Sequence, residues 1–196
     1  MRIAVVDTTF ASVDMGGIVI RTLQASATGL RIERCTVPGI KDLGVACKRM
    51  LDAGCDIAVA CGMPGPEPID KQSAHVASIG LQHAMIATSK HIVEAFVHLD
   101  EAKDAKELEA VCANRCAEHA LNALALLKGP TALTPKAGTG QRQGFADVGP
   151  SSQLNRKVDP FQAKGKGAGS DPLSPGSARG EAGAKLGGGG AGAGKH

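Results

Sequence analysis

Of the 26 glycines in this 196-residue chain, 12 fall after Pro150, where Leu154, Val158, Phe161, Leu173 and Leu186 are the only large apolar side chains. Too little can be buried there, so one domain is expected over residues 1–150 and a Gly-rich, low-complexity, disordered tail over 151–196. The tail carries seven Lys/Arg against three Asp/Glu and residues 1–150 carry 15 against 16, so the net charge of +3 belongs to the tail and argues against a nucleic-acid-binding face.

Ile3-Ala4-Val5-Val6 is a continuous apolar run, as in a strand buried on both faces of a parallel sheet. Asp7-Thr8-Thr9-Phe10 leaves it, and Asp14 caps a helix whose apolar face is Met15, Ile18, Val19 and Leu23, ending near Gly29. Residues 31–37 are mixed in polarity and read as an edge strand. They stop at Pro38-Gly39, where Val37 is held extended by the proline and Gly39 lets a ligand approach the backbone. Leu43, Ala46, Cys47, Met50 and Leu51 then recur at helical spacing up to Ala53-Gly54. Residues 56–61 form a second buried strand, closed by the irregular Gly62-Met63-Pro64-Gly65-Pro66-Glu67-Pro68.

The third helix is expected from Ile69 or Ser73 to Lys90, with Val76, Ile79, Gly80, His83 and Ala87 as its stripe. In the fourth strand Ile92, Glu94, Phe96 and His98 point one way and Val93, Ala95, Val97 and Leu99 the other. Asp104 to Glu107 reads as a capping box opening a long helix through Leu108, Val111, Cys112, Cys116, Ala120, Leu124 and Leu127, stopped by Lys128-Gly129-Pro130. Residues 131–150 read as an arm or loop. A βα unit repeated four times implies a mostly parallel sheet with right-handed crossovers, and ligands in such sheets bind beyond the carboxyl ends of the strands. Phe10, Gly39 to Asp42, Gly62 to Pro68 and His98 to Asp100 are expected to share that rim.

The six cysteines lie mostly in apolar stretches with no signal-peptide pattern, so they read as reduced thiols of a cytoplasmic protein. The longest apolar runs fall far short of the ~20 residues of a membrane span. Cys112, Cys116 and His119 share one helix face, but no fourth ligand is spaced with them, and core packing is the better reading than a metal. Gly138-Thr139-Gly140 through Gly144 misses the dinucleotide spacing and follows a helix.

Asp7-Thr8-Thr9-Phe10-Ala11, Thr36-Val37-Pro38-Gly39-Ile40-Lys41-Asp42-Leu43, Gly62-Met63-Pro64-Gly65, Phe96-Val97-His98 through Glu101-Ala102-Lys103-Asp104, and Arg142-Gln143-Gly144-Phe145 together resemble the archaeal-type riboflavin synthases, relatives of lumazine synthase. The resemblance covers residues 1–150. It implies a flavodoxin-like three-layer α/β/α sandwich with a four-stranded parallel sheet of order 2-1-3-4, and a homopentamer with sites between subunits. It also implies the last step of riboflavin biosynthesis, dismutation of two 6,7-dimethyl-8-ribityllumazine molecules to riboflavin and 5-amino-6-ribitylaminopyrimidinedione. That chemistry requires no redox cofactor, and a divalent ion such as Mg is left open.

Such a site holds two rings, grips two ribityl chains and manages protons on an acidic methyl group. Phe10 is the leading stacking candidate, the alternative being a core plug. The backbone of Gly39, Ile40 and Lys41 with the Asp42 carboxylate suits a ribityl chain, unless Asp42 serves the helix dipole alone. Gly62, Met63 and Pro64 complete that rim. His75 with Lys71 one turn earlier suits proton relay, as does His98, which shares its strand face with Glu94 and Phe96 and is followed by Asp100; surface or satisfied histidines are the alternative. Arg142 and Phe145 either close a site or pack. The rival activity is lumazine synthase, which binds a phosphorylated sugar for which no arginine motif is present. A non-catalytic flavin- or pteridine-binding module is the other, although Asp14 would repel a phosphate at the first helix.

Overall fold

The computed structural model describes residues 1–151, so the expected tail lies outside the described residues. Four strands, β1 (Arg2–Thr8), β2 (Arg31–Val37), β3 (Ile57–Gly62) and β4 (Ile92–Phe96), alternate with α1 (Met15–Ser26), α2 (Leu43–Asp52), α3 (Pro68–Thr88) and α4 (Ala105–Lys128). The sheet is wholly parallel, in the order β2-β1-β3-β4, with Asp7 opposite Thr36, Val5 opposite Val59 and Ala60 opposite Glu94. The mixed polarity of residues 31–37 thus belongs to an edge strand, and the apolar runs to the two central ones.

Successive side chains alternate between two cores. Ile3, Val5, Val59, Val93 and Val97 meet Val19 and Leu23 of α1 and Cys112 and Cys116 of α4. Ala4, Val6, Ala58, Ala60, Ile92 and Phe96 meet Leu43 and Cys47 of α2 and Ala74, Ala77, Leu81 and Ala84 of α3. A continuous apolar strand is what filling both layers requires.

The helix starts at Asp14 and Asp104 follow the sequence with one refinement. Asp14 Oδ1 accepts from the Gly17 amide at 3.0 Å, as expected of a cap. Asp104 accepts from the Glu107 amide at 2.8 Å, but Glu107 reaches back to the Lys103 amide instead of closing a box on Asp104. A larger correction concerns α3, where the expected stripe of Val76, Ile79, His83 and Ala87 is exposed and the buried stripe is Ala74, Ala77, Leu81 and Ala84. Small residues win the inner face because α3 lies close against α2: a Cβ at Gly44 would stand 3.1 Å from the Gly80 carbonyl carbon. The larger apolar side chains are left outward.

Candidate active site

Two clefts open at the strand exits on the α2/α3 side of the sheet. The first, about 420 Å³, is lined by Phe10 from the β1 exit, Pro38, Gly39, Ile40, Lys41 and Asp42 from the β2 exit, Met63, Pro64 and Gly65 from the β3 exit, and Asp70 and Ser73 of α3. Phe10 is 73% exposed, which removes the core-plug reading and leaves a ring face on the cleft. Thr9 fixes its loop, its amide donating to the Val37 carbonyl at 2.9 Å and its hydroxyl to that of Pro38 at 3.2 Å. Asp42 precedes α2 yet makes no side-chain capping bond, so its oxygens are not occupied by the helix amides.

The second cleft, about 610 Å³, is lined by Lys71, Ala74, His75 and Ser78 of α3, Glu94 and Phe96 of β4, His98, Asp100 and Glu101 after it, and Arg115 of α4. Both volumes fall in the roughly 300–1,000 Å³ of small-molecule sites. Lys71, expected to work with His75, instead holds Asp100 at 2.5 Å, and that hydrogen bond keeps the Asp100 carboxyl below its usual range. Arg115, 11% exposed, clamps Glu101 through two nitrogens at 2.8 and 2.6 Å and donates to the Phe96 carbonyl at 2.7 Å. Burial pushes the Glu101 carboxyl up, but the Arg115 pair and the His98 amide together outweigh it and the net direction is down. Glu94 moves the other way, raised by burial and only partly eased by the Ser78 hydroxyl at 2.9 Å and by His98. His98 Nδ1 is buried and has no hydrogen-bond partner among the described residues.

The single rim expected from sequence is therefore divided, with the first turns of α3 contributing to both clefts. Gly62 lines neither cleft but stands between them: a Cβ there would lie 2.7 Å from the Phe96 ring and 2.9 Å from Ile40. Sequence reasoning missed Asp70 and Ser73 of the first cleft, and Ser78, Glu101 and Arg115 of the second, where Ser78 meets Glu94 and Arg115 meets Glu101 across separate elements. Phe145 and Arg142 line neither cleft. Phe145 stacks between Arg115 and Arg142, 5.6 and 5.0 Å from its centroid, and the Gly144 amide donates to Asn114 Oδ1 at 2.6 Å, so this arm packs along α4.

A third recess of about 280 Å³ lies at the β1 and β2 exits and is lined by Asp7, Asp14, Arg34 and Thr36 among others. Buried Asp7 takes Thr36 at 2.7 Å and the Arg34 guanidinium, which also holds Asp14 at 2.6 Å. The guanidinium is thereby neutralised, and Asp14 stands where a phosphate would need amides. Cys112 and Cys116 are core residues; burial pushes the Cys112 thiol up to about 12 and pulls His119 down to about 4. Among the described residues no three His, Cys, Asp or Glu stand together to hold a metal ion, and no helix is long and apolar enough to cross a membrane.

Fold and clefts define an open-sheet α/β protein with clefts of small-molecule size at its strand exits. The sequence profile of the 6,7-dimethyl-8-ribityllumazine synthase family matches residues 1–130, and the chain belongs to that family. It is similar to the riboflavin synthase of Methanothermobacter marburgensis, 50% identical over 151 residues, 76% of this chain and 99% of the relative. The riboflavin synthase of Methanothermobacter thermautotrophicus is 49% identical over 151 residues, again 76% and 99%. That of Archaeoglobus fulgidus is 46% identical over 151 residues, 76% and 98%.

Proposed function

We propose that the chain is a riboflavin synthase, a transferase that converts two molecules of 6,7-dimethyl-8-ribityllumazine into riboflavin and 5-amino-6-ribitylaminopyrimidinedione. The observation that carries this reading is the near-complete coverage of three archaeal relatives of that name, at 46–50% identity. The clefts support it. One offers a ring face, backbone amides and the Asp42 carboxylate for a polyhydroxyl chain, and the other offers histidines and a half-buried acid for proton traffic. Lumazine synthase is the weaker alternative, since no arginine lines the first cleft and Arg115 in the second is held by Glu101. A binding module would have no use for uncommitted proton-transfer groups.

The clefts belong to one working site if neighbouring subunits bring them together, and the outward Val76, Ile79 and Ile86 of α3 supply apolar surface for that contact. We take the assembly to be a homopentamer, the catalytic unit to be residues 1–150, and the compartment to be the cytoplasm, where six free thiols are at home. The purified chain, given only the lumazine, releases riboflavin and the pyrimidine in equal amounts without nicotinamide or flavin, assayed with and without magnesium. Given the pyrimidine and dihydroxybutanone phosphate, it forms little lumazine. Chromatography of these incubations reads both; no riboflavin above the uncatalysed rate in either metal condition would end the assignment.

A further inference from the structure

We infer that Glu94 is the proton-transfer acid of the second cleft and that Ser78 is its positioning residue. The inference rests on the proposed dismutation and begins with where the carboxyl stands. On β4 the residues sharing its face are Ile92 and Phe96, both in the core, and its neighbour across the sheet is Ala60. Half-buried, it forms part of the lining of the cleft.

The charged and titratable groups around that cleft come from three elements, Lys71 and His75 on α3, His98, Asp100 and Glu101 after β4, and Arg115 on α4. Each cation with a fixed charge is already neutralised, Lys71 by Asp100 and Arg115 by Glu101. Among the described residues no lysine or arginine pairs with Glu94, and its burial therefore raises its pKa from the carboxylate range. The groups left to exchange protons are Glu94 and the two histidines.

Ser78 is suited to a carboxyl that changes state. Its Oγ lies 2.9 Å from Glu94 Oε1 and 3.1 Å from the Ala74 carbonyl oxygen, two acceptors for one hydroxyl proton. When Glu94 is protonated it donates to Ser78, whose own proton goes to Ala74. When Glu94 is ionised the Ser78 hydroxyl turns and donates to the carboxylate, which the backbone carbonyl of a helix tolerates because it keeps its helical partner. Neither state leaves the carboxyl without a bond.

The dismutation needs such a group. All atoms of both products come from the two substrate molecules, so every proton the site lends is returned. Glu94 lends its proton to a ring nitrogen of one pteridine: the O–H bond breaks, an N–H bond forms, and the adjacent ring carbon becomes more electrophilic. The carboxylate left behind takes a proton from the acidic methyl group of the other pteridine, breaking C–H and re-forming O–H, and the carbanion attacks the activated carbon.

The test uses the full chain and two independent readouts. Carboxyl-carbon NMR, with the Glu94 signal assigned by its loss in Glu94→Gln, is expected to show titration above the ordinary carboxylate range. In turnover, Glu94→Gln is expected to lower kcat by ~10²–10⁴-fold with little change in KM and to remove the alkaline limb of the pH profile. Ser78→Ala keeps the acid but deprives its carboxylate of a donor, so both the NMR titration and the limb move to higher pH. An ordinary Glu94 titration, or a Glu94→Gln enzyme with wild-type kcat and limb, overturns the inference. If wild type makes no riboflavin, the proposed function has failed, while an unshifted titration separately rejects the assignment of Glu94.

Discussion

A carboxyl group placed between Ile92 and Phe96 on a sheet face should weaken the fold when it ionises, and Glu94 makes the sign testable. Its folded pKa is raised, so the stability it contributes is fully present below the unfolded carboxylate value and is lost as pH rises through the folded one. Glu94→Gln carries no such proton. The variant is expected to match wild type in thermal unfolding at pH 4 and to exceed it at pH 8. Equal midpoints at both pH values would mean that the carboxyl is solvated as an ordinary surface acid. Asp100 and Asp14 are shifted downward by the Lys71 bond and by the Gly17 amide respectively, so they act in the opposite sense and lose stability as pH falls. The variant comparison at one pH cancels their contributions.

At the scale of elements, β3 ends on a residue whose lack of a side chain lets Phe96 and Ile40 close against the strand end between the two clefts. Gly62→Ala would drive a methyl into the Phe96 ring and Ile40, which belong to β4 and to the turn before α2. The expected cost is about 1–3 kcal/mol of overpacking, read as a lower urea midpoint with unchanged m. A neutral substitution would show that Phe96 and Ile40 yield freely. This junction also marks what sequence could reveal. The strand interiors were legible because residues 3–6 and 57–61 are apolar without a break, the edge strand because residues 31–37 are not, and the strand exits because Pro38-Gly39 and the 62–68 loop interrupt regular structure. The order of the strands came from the resemblance, since periodicity cannot say which strand neighbours which. The inner face of α3 was misread because hydrophobicity ranks Val76 and Ile79 above Ala74 and Ala77, whereas close helix contact selects for small volume. Within the clefts, Phe10, Asp42, His75, Glu94, His98 and Asp100 were visible as chemistry at or near strand exits. The pairing of Lys71 with Asp100 and of Arg115 with Glu101 was not, because nothing in a sequence records which long side chain reaches which carboxylate across another element.

At the scale of the whole molecule, one chain carries the groups proposed for ribityl binding and for proton transfer in separate clefts, and a working site between subunits would use the first cleft of one copy with the second of the next. That arrangement has a consequence that a site confined to one chain lacks. Asp42→Ala damages only the first cleft and His98→Ala only the second, so each variant alone assembles sites that are all defective. When the two are unfolded together in equal amounts and refolded, random assembly places an intact first cleft against an intact second one at about one interface in four. The mixture is expected to recover about a quarter of wild-type turnover, while either variant refolded alone stays near its own low value. Sedimentation of the same samples shows whether the closed oligomer has re-formed, so a failure to assemble is separated from a failure to complement. A mixture that assembles fully yet turns over no faster than the mean of its components would place both clefts' functions within a single subunit and end the shared-site reading.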